Sequence, residues 1–418
     1  MGLEDVSAGA VEDFPDYVRR GGYSDAAWNS PPDELISVIA ESGLRGRGGS
    51  GFPTGTKWKS MTSVATPPVV VVNAAESEPA SHKDFVLLRL RPHLVIEGAL
   101  LAGRAIGADS CVFYTHDLDA KQIVDAAWAE LMAAGAELPH WRAVVAPRTY
   151  VAGEASAAVN FINGRRAIPT GKPPSVRERG VDGRPTLVQN AETLAHVPGI
   201  LREGSDWFRA AGTVDYPGRL LLSLNGGVRW TGVFEVQAGT PLLDVIRDLG
   251  GGAPGGIQAV LPGGYFAGWL APDALREGVT LDPESLRAAG SDLGSAAITV
   301  IPETVCGVWQ AARLLRFFAN ESARQCGPCT FGTAAMADAM ERIARGVARE
   351  DDLDRLHHYS ERMLPRRGAC GHLDGATAAA RTALRVFADD IASHARFGGC
   401  GRPLHCVLPG LEDADDRA

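Results

Sequence analysis

The chain has 418 residues, 45% of them hydrophobic, and 50 acidic against 41 basic side chains give a net charge of −9. That composition is globular, the length suits two or three domains, and the negative balance argues against nucleic-acid binding. The start, Met1-Gly-Leu-Glu-Asp-Val, is acidic and no apolar run approaches the roughly 20 residues of a membrane helix, so we expect a soluble cytoplasmic chain without membrane insertion. Seven cysteines in that compartment suit metals or clusters better than disulfides.

Helical periodicity over 33–42 runs into Ser42-Gly-Leu-Arg-Gly-Arg-Gly-Gly-Ser-Gly-Phe-Pro-Thr-Gly-Thr-Lys57. Glycine lets backbone N–H groups approach a phosphate and permits positive φ, and Arg45, Arg47 and Lys57 add positive charge. Gly46-x-Gly48-x-x-Gly51 matches the dinucleotide fingerprint in its letters. That fingerprint follows a strand and opens a helix, whereas this loop follows a helix-like stretch. A strand at 69–72, a helix at 93–106, a strand at 110–115 and a helix at 120–134 alternate as in an α/β fold with a largely parallel sheet. Residues 165–187, rich in Arg, Pro and Gly, form a long loop of the kind that is usually functional. From 219 the texture changes to short strands at 220–224, 232–236 and 258–261 with a helix at 240–249, a small α+β module. From 304 four helices, 307–320, 334–345, 351–363 and 376–394, read as a bundle, and the tail after 396 frays. The expected domains are therefore 1–215, 216–303 and 304–396, followed by a flexible tail at 397–418.

The glycine-rich loop, Asn73-Ala-Ala-Glu-Ser-Glu-Pro79, Tyr150-Val-Ala-Gly-Glu154, Lys172-Pro-Pro174, Val188-Gln-Asn-Ala-Glu-Thr193 and Arg316-Phe-Phe-Ala-Asn-Glu-Ser322 before Cys326-Gly-Pro-Cys329 occur in one order. Together they resemble the NADH-oxidising flavoprotein subunit of respiratory complex I and of NAD-linked hydrogenases and formate dehydrogenases, over roughly residues 30–395. The resemblance implies an α/β FMN-binding domain, a small β-grasp-like domain and a C-terminal four-helix bundle. It implies FMN contacts from Gly46, Gly48, Gly49, Lys57, Asn73, Ser77, Tyr150, Gly153, Glu154, Asn190 and Thr193. A polar residue at the carboxyl end of a strand, such as Asn73, is where an α/β sheet meets a cofactor. Ala75 replaces the family's usual Asp, and Gln189 its second Asn.

For the nicotinamide, the resemblance assigns an aromatic ring to Phe52, polar contacts to Glu76 and Lys172, and amide orientation to Glu78. Ser60 and Ser175 stand where the family usually has Phe, and Ala155 where it has a second acid. Three outcomes fit: NADH as donor; NADPH, its 2′-phosphate met by Arg165, Arg166 or Arg177; or electron exchange with proteins alone. The expected role is electron transfer between NAD(P)H and a ferredoxin-like or [2Fe–2S] subunit within a hetero-oligomer. The rival is an assembly subunit that kept the fold and lost the chemistry.

The family's [4Fe–4S] motif is Glu-Ser-Cys-x-x-Cys-x-x-Cys with a fourth cysteine downstream. Here it reads Glu321-Ser-Ala323-Arg-Gln-Cys326-Gly-Pro-Cys329, with Cys370 at the downstream position. One of the usual cysteines is missing. The remaining three suit a [4Fe–4S] cluster completed by His372, water, Cys400 or Cys406, or a [3Fe–4S] cluster. Zinc on Cys326, Cys329, Cys370 and His372, or plain packing, are the alternatives. Cys111 and Cys306 read as core residues and His82 as a surface residue.

Overall fold

The computed structural model describes residues 11–171 and 173–412. The chain divides into two compact units. One comprises the chain up to Ser77, His82–Leu221 and Val233–Gly239. The other comprises Glu78–Ser81, Leu222–Gly232 and the chain from Thr240 onward.

In the first unit α1 (Pro32–Ser42) ends at Gly43, whose φ of 70° closes the helix in the left-handed region. The glycine-rich loop follows and leads into α2 (Thr54–Lys59). The strands are β1 (Val69–Ala74), β2 (Ser110–Thr115), β3 (His140–Val145) and β4 (Thr186–Asn190), all parallel in the order β3-β2-β1-β4. The helices are α3 (Lys83–Leu90), α4 (Pro92–Ile106), α5 (Leu118–Ala133), α6 (Ala155–Ile162) and α7 (Ala191–Glu203). Both sheet faces are covered, as parallel sheets require. Val70, Val72, Cys111, Phe113 and Leu187 join the α4 residues Leu94, Leu101 and Ala105 in one core. Val69, Val71, Val112, Tyr114 and Val188 meet Ala158, Val159 and Ile162 of α6 in another. The alternating residues of each strand thus serve opposite layers.

The sequence reading places two of these strands and three helices within two residues. It does not include β3 or β4. β3 is half-exposed and short, and β4 sits inside a motif read for its polar residues. The described residues between 163 and 185 hold one short 3₁₀ turn, Val181–Gly183, and are otherwise loop.

β5 (Arg219–Gly226) runs into the second unit, while most of β6 (Gly232–Gln237) groups with the first. In the second unit, Ser223–Gly226 of β5 pairs in parallel with β8 (Ala297–Ile301), and β7 (Ala259–Leu261) runs antiparallel to β8. The sequence reading omits β8. The helix expected at 240–249 is a short turn, Leu242–Asp244, followed by a π-helical stretch, Val245–Leu249. The later helices are α8 (Gly307–Asn320), α9 (Gly327–Ala344), α10 (Asp352–His357), α11 (His372–Val386) and α12 (Ala388–Phe397). α9 begins well before its expected start because Pro328 suits a first helical turn. The single helix expected at 376–394 is two, broken at Phe387, whose φ and ψ are −107° and 24°.

The tail after 396 does not fray over its described part. Pro403 O accepts from the Cys306 N–H at 3.1 Å. Gln310 Oε1 accepts from the Val407 N–H at 3.0 Å.

Candidate cofactor and cluster sites

In a doubly wound sheet a ligand sits beyond the carboxyl ends of the strands, where neighbouring crossovers diverge. The order β3-β2-β1-β4 places that point between β1 and β4. Asn73 of β1 and Asn190 of β4 are register partners there.

The glycine-rich loop reaches the same point. Its ends close through Gly46 N–H to Phe52 O and Thr54 N–H to Leu44 O, both 2.9 Å. The Arg47 N–H donates to Thr193 Oγ1 at 2.8 Å. A Cβ on Gly48 would stand 3.0 Å from the Asn190 Cβ, so the loop lies directly against Asn190. Gly49, with φ of 100°, turns the loop where a side chain would strain it. Asn73 Nδ2 donates to Gly153 O at 2.9 Å. A Cβ on Gly153 would meet Ser77 Oγ at 2.6 Å and Ala75 O at 3.0 Å. Gly48, Asn73, Ser77, Gly153, Asn190 and Thr193, far apart in the chain, therefore form one constellation. Gly46 and Gly49 lie in the same loop. Tyr150 opens the buried 3₁₀ turn Tyr150–Gly153.

The cations of the loop are desolvated. Arg47 is 3% exposed, its Nη2 donates to Pro217 O at 2.8 Å, and its guanidinium lies 4.3 Å from the Tyr216 ring centroid. Its Nε and Nη1 are buried without a hydrogen-bond partner. Lys57 Nζ donates to Val188 O on β4, and burial brings its pKa down to about 8. Spare donors and a lysine pushed toward neutrality both suit an anion bound beside the loop.

The sequence reading misses the groups that hold Asn190. Its Nδ2 donates to Asp84 Oδ2 at 2.6 Å. Lys83 Nζ lies 2.8 Å from both Asp84 Oδ1 and Glu192 Oε2, and all three side chains are buried. Burial opposes ionisation of Glu192, but Lys83, His196 and Arg47 outweigh it and bring the carboxyl down to about 2. The available signal was charge in or just after the matched blocks: Lys83 and Asp84 follow the block that ends at Pro79, and Glu192 precedes Thr193. His82 is exposed, as expected.

Glu154, expected at the FMN, caps α6, accepting from the Ser156 and Ala157 N–H groups at 2.8 and 3.1 Å. Two acids expected at the nicotinamide also accept from backbone N–H groups. Glu76 accepts from the Asp84 and Phe85 N–H groups at the start of α3, both 3.2 Å. Glu78 belongs to the second unit, where its carboxylate accepts from the Tyr265 N–H at 3.0 Å and the Ala80 N–H at 3.3 Å. Phe52 is 50% exposed on the loop. Lys172 lies outside the described residues.

The first unit also holds a cavity of about 920 Å³ lined by Val70, Ser110, Cys111 and His140. These are at the amino ends of the strands, opposite the polar constellation.

In the second unit Cys326 caps α9, and Cys329 lies one turn inside it. Cys329 interacts with both Cys326 and Cys370, and Ser322 Oγ is 3.1 Å from its sulfur. The three expected thiols are thus brought together. A single zinc with bonds of about 2.3 Å needs ligand sulfurs roughly 3.8 Å apart. Among the described residues, the trio whose ligand atoms all fall within 4.8 Å of one another is Cys306, His394 and Cys400, not these cysteines. His372, offered as a fourth ligand, engages Phe318 O through Nε2 at 2.7 Å. Cys400 sits beside Cys306, and Cys406 is 1% exposed and near Tyr265. Cys400 and Cys406, two of the options for a fourth cluster ligand, are thus placed against other partners. Cys111 is buried in the sheet core, and burial pushes its thiol up to about 12.

Two family models match the chain: the Nuo51 FMN-binding domain over residues 39–199, and the NADH-ubiquinone oxidoreductase-F iron-sulfur binding region over 309–394. The F subunit of NADH-quinone oxidoreductase from Mycobacterium bovis is 35% identical over 420 aligned positions, covering 95% of this chain and 93% of the relative. The corresponding F 2 subunit from Rhizobium meliloti is 35% identical, with 93% and 95% covered. A chain of an NAD+-reducing [NiFe]-hydrogenase in the H2-reduced state superposes with a TM-score of 0.82 at 31% identity, covering 92% of this chain and 67% of that one. Its air-oxidised form gives 0.79 at 32% identity, covering 88% of this chain, and there this chain spans 63% of the hydrogenase chain's length. Among the described residues no helix is long and apolar enough to cross a membrane. With relatives matched along nearly its whole length, this chain belongs to the family of NADH-quinone oxidoreductase F subunits.

Proposed function

We propose that this chain is the electron-accepting first subunit of a multisubunit, cytoplasmic oxidoreductase, taking electrons from NADH or NADPH and passing them to a ferredoxin-like or [2Fe–2S] subunit. The observation that carries the reading is the convergence of Gly48, Asn73, Gly153, Asn190 and Thr193 at the switch point of the parallel sheet. Bound FMN would supply the conversion between a two-electron hydride and single electrons.

The chain's own residues do the positioning. Gly46, Gly48 and Gly49 present backbone N–H groups without side-chain obstruction. Lys57 and Arg47 supply positive charge in a desolvated setting, where it acts most strongly on a bound anion. Asn73 and Asn190 offer amide groups whose orientation is fixed by Gly153 O and by the Asp84–Lys83–Glu192 network. Ser77, Tyr150 and Thr193 complete the polar wall. Cys326, Cys329 and Cys370 would hold an iron–sulfur cluster by three thiolates, with the Ser322 hydroxyl donating to Cys329. Such N–H and O–H donors to sulfur tune a cluster's potential. In this reading residues 304–396 carry the cluster, and residues 216–303 form a β-grasp-like module.

Glu76 and Glu78, the acids expected at the nicotinamide, both accept from backbone N–H groups. That favours a second reading in which FMN binds and exchanges electrons with proteins only. The test is anaerobic purification with quantification of FMN and iron, then addition of NADH and NADPH separately while flavin absorbance is followed. Bleaching by either nucleotide supports the dehydrogenase and selects its donor. Bound FMN without bleaching selects the protein-only route, and failure to bind FMN after reconstitution removes both.

A further inference from the structure

Cys306, His394 and Cys400 come from three separate places: the start of α8, the body of α12 and the segment after it. Their ligand atoms all lie within 4.8 Å of one another. We propose that these three side chains bind a zinc ion, at a site distinct from the cluster cysteines and independent of the flavin reading.

The donor set is the one zinc prefers. Two thiolates and one imidazole leave a fourth tetrahedral position for water. Cys400 is the partly exposed member and gives solvent a way in, while Cys306 is fully buried and His394 is 2% exposed. His394 Nε2 points at Cys306 Sγ from 3.2 Å. That is a hydrogen-bonding distance, and it sets the imidazole nitrogen and the sulfur side by side. The other ring nitrogen, Nδ1, is buried without a hydrogen bond.

Cys306 is the N-cap of the 14-residue α8, and the Trp309 N–H donates to its sulfur at 3.4 Å. Burial pushes the Cys306 thiol up to about 12 and outweighs the helix start, so a bound cation would have to displace its proton. Arg402 interacts with Cys400 and is itself held by Asp390, whose two carboxylate oxygens accept from Nη1 at 2.8 Å each. Asp390 lies one turn before His394 on α12, so the arginine beside Cys400 is anchored to the helix that carries the histidine. A zinc ion here would pin the segment after α12 to the start of α8, reinforcing the bond from the Cys306 N–H to Pro403 O.

Full-length protein would be purified anaerobically from zinc- and iron-replete cells and analysed for both metals, alongside Cys400→Ser, His394→Gln and Cys370→Ser. The expected result is about one zinc per chain in the unaltered protein. Zinc affinity should fall at least about tenfold in Cys400→Ser and His394→Gln, with iron unchanged. Cys370→Ser should lose iron and keep zinc. As a check that needs no variant, Co2+ added to zinc-stripped protein should give a thiolate-to-cobalt absorption band. Unaltered protein with neither zinc nor the cobalt band would overturn the proposal. So would zinc lost from Cys370→Ser and retained in Cys400→Ser, which assigns the ion to the cluster cysteines. A Cys306–Cys400 disulfide in the anaerobic protein, seen by mass spectrometry, would overturn it as well.

Discussion

Replacing Lys57 by Met tests whether the desolvated lysine is an anion anchor. Burial brings its pKa from the ordinary 10.5 to about 8, a difference of 2.5 units, worth about 3 kcal/mol at about 1.4 kcal/mol per unit. The sign follows from proton counting. Between pH 8 and 10.5 the unfolded chain holds the proton and the folded chain sheds it, so this group makes stability rise with pH across that window. In the FMN-free protein at pH 7, removing the charge relieves about 3 kcal/mol of desolvation but also removes the bond to Val188 O, worth roughly 1.5–3 kcal/mol. Apo stability should therefore change little. A bound flavin phosphate would restore the ordinary pKa, so binding takes up a proton between pH 8 and 10.5. The affinity ratio of unaltered to Met protein should then be flat below pH 8 and fall by up to about 300-fold by pH 10.5. Fluorescence titration of FMN into both apoproteins, with urea melts as the stability control, measures each term. Parallel pH profiles for the two proteins would refute the reasoning, because Lys57 would then not face the anion.

Gly153→Ala should lower retained FMN and cost about 1–3 kcal/mol, since the added methyl meets Ala75 O and Ser77 Oγ; flavin content and a urea midpoint report both. Lys83→Met leaves Asp84 and Glu192 buried without their cation and should destabilise by about 3–5 kcal/mol, read by chemical denaturation at pH 7. In the unaltered protein the Glu192 contribution is complete above its ordinary 4.5 and is lost as pH falls toward about 2. The midpoint should drop across that window, and a flat midpoint there would contradict the assignment. Ala323→Cys supplies the missing thiolate two residues before Gln325 and should raise iron per chain and slow bleaching in air. Unchanged iron and air sensitivity would show that position 323 does not face the cluster.

The sequence by itself determined the local features. Strands β1 and β2 were legible because both faces are buried and nearly every residue is apolar. Helix α8 was legible because its apolar residues recur at helical spacing. The order of the blocks and the spacing of Cys326, Cys329 and Cys370 pointed to the family. β3, β4 and β8 were not legible. β3 is partly exposed with mixed polarity, β4 ends in polar residues, and β8 follows a Gly- and Ser-rich stretch, while strand pairing is a contact between distant segments. The break of the last helix at Phe387 was likewise hidden, since no Gly or Pro marks it.

Only the tertiary structure decided which side chains share a space. It alone brings Asn73 and Asn190 into register, puts Asp84 and Lys83 behind Asn190, and gives Glu154 to a helix start. It also placed Cys400 beside Cys306 and His394, where sequence reading had seen a packed cysteine and a loose tail. Periodicity and propensity act over a few residues, whereas these placements depend on how helices and strands far apart in the chain pack. The chemistry of each residue type was fixed from the start, but its role depended on neighbours that the linear order does not name.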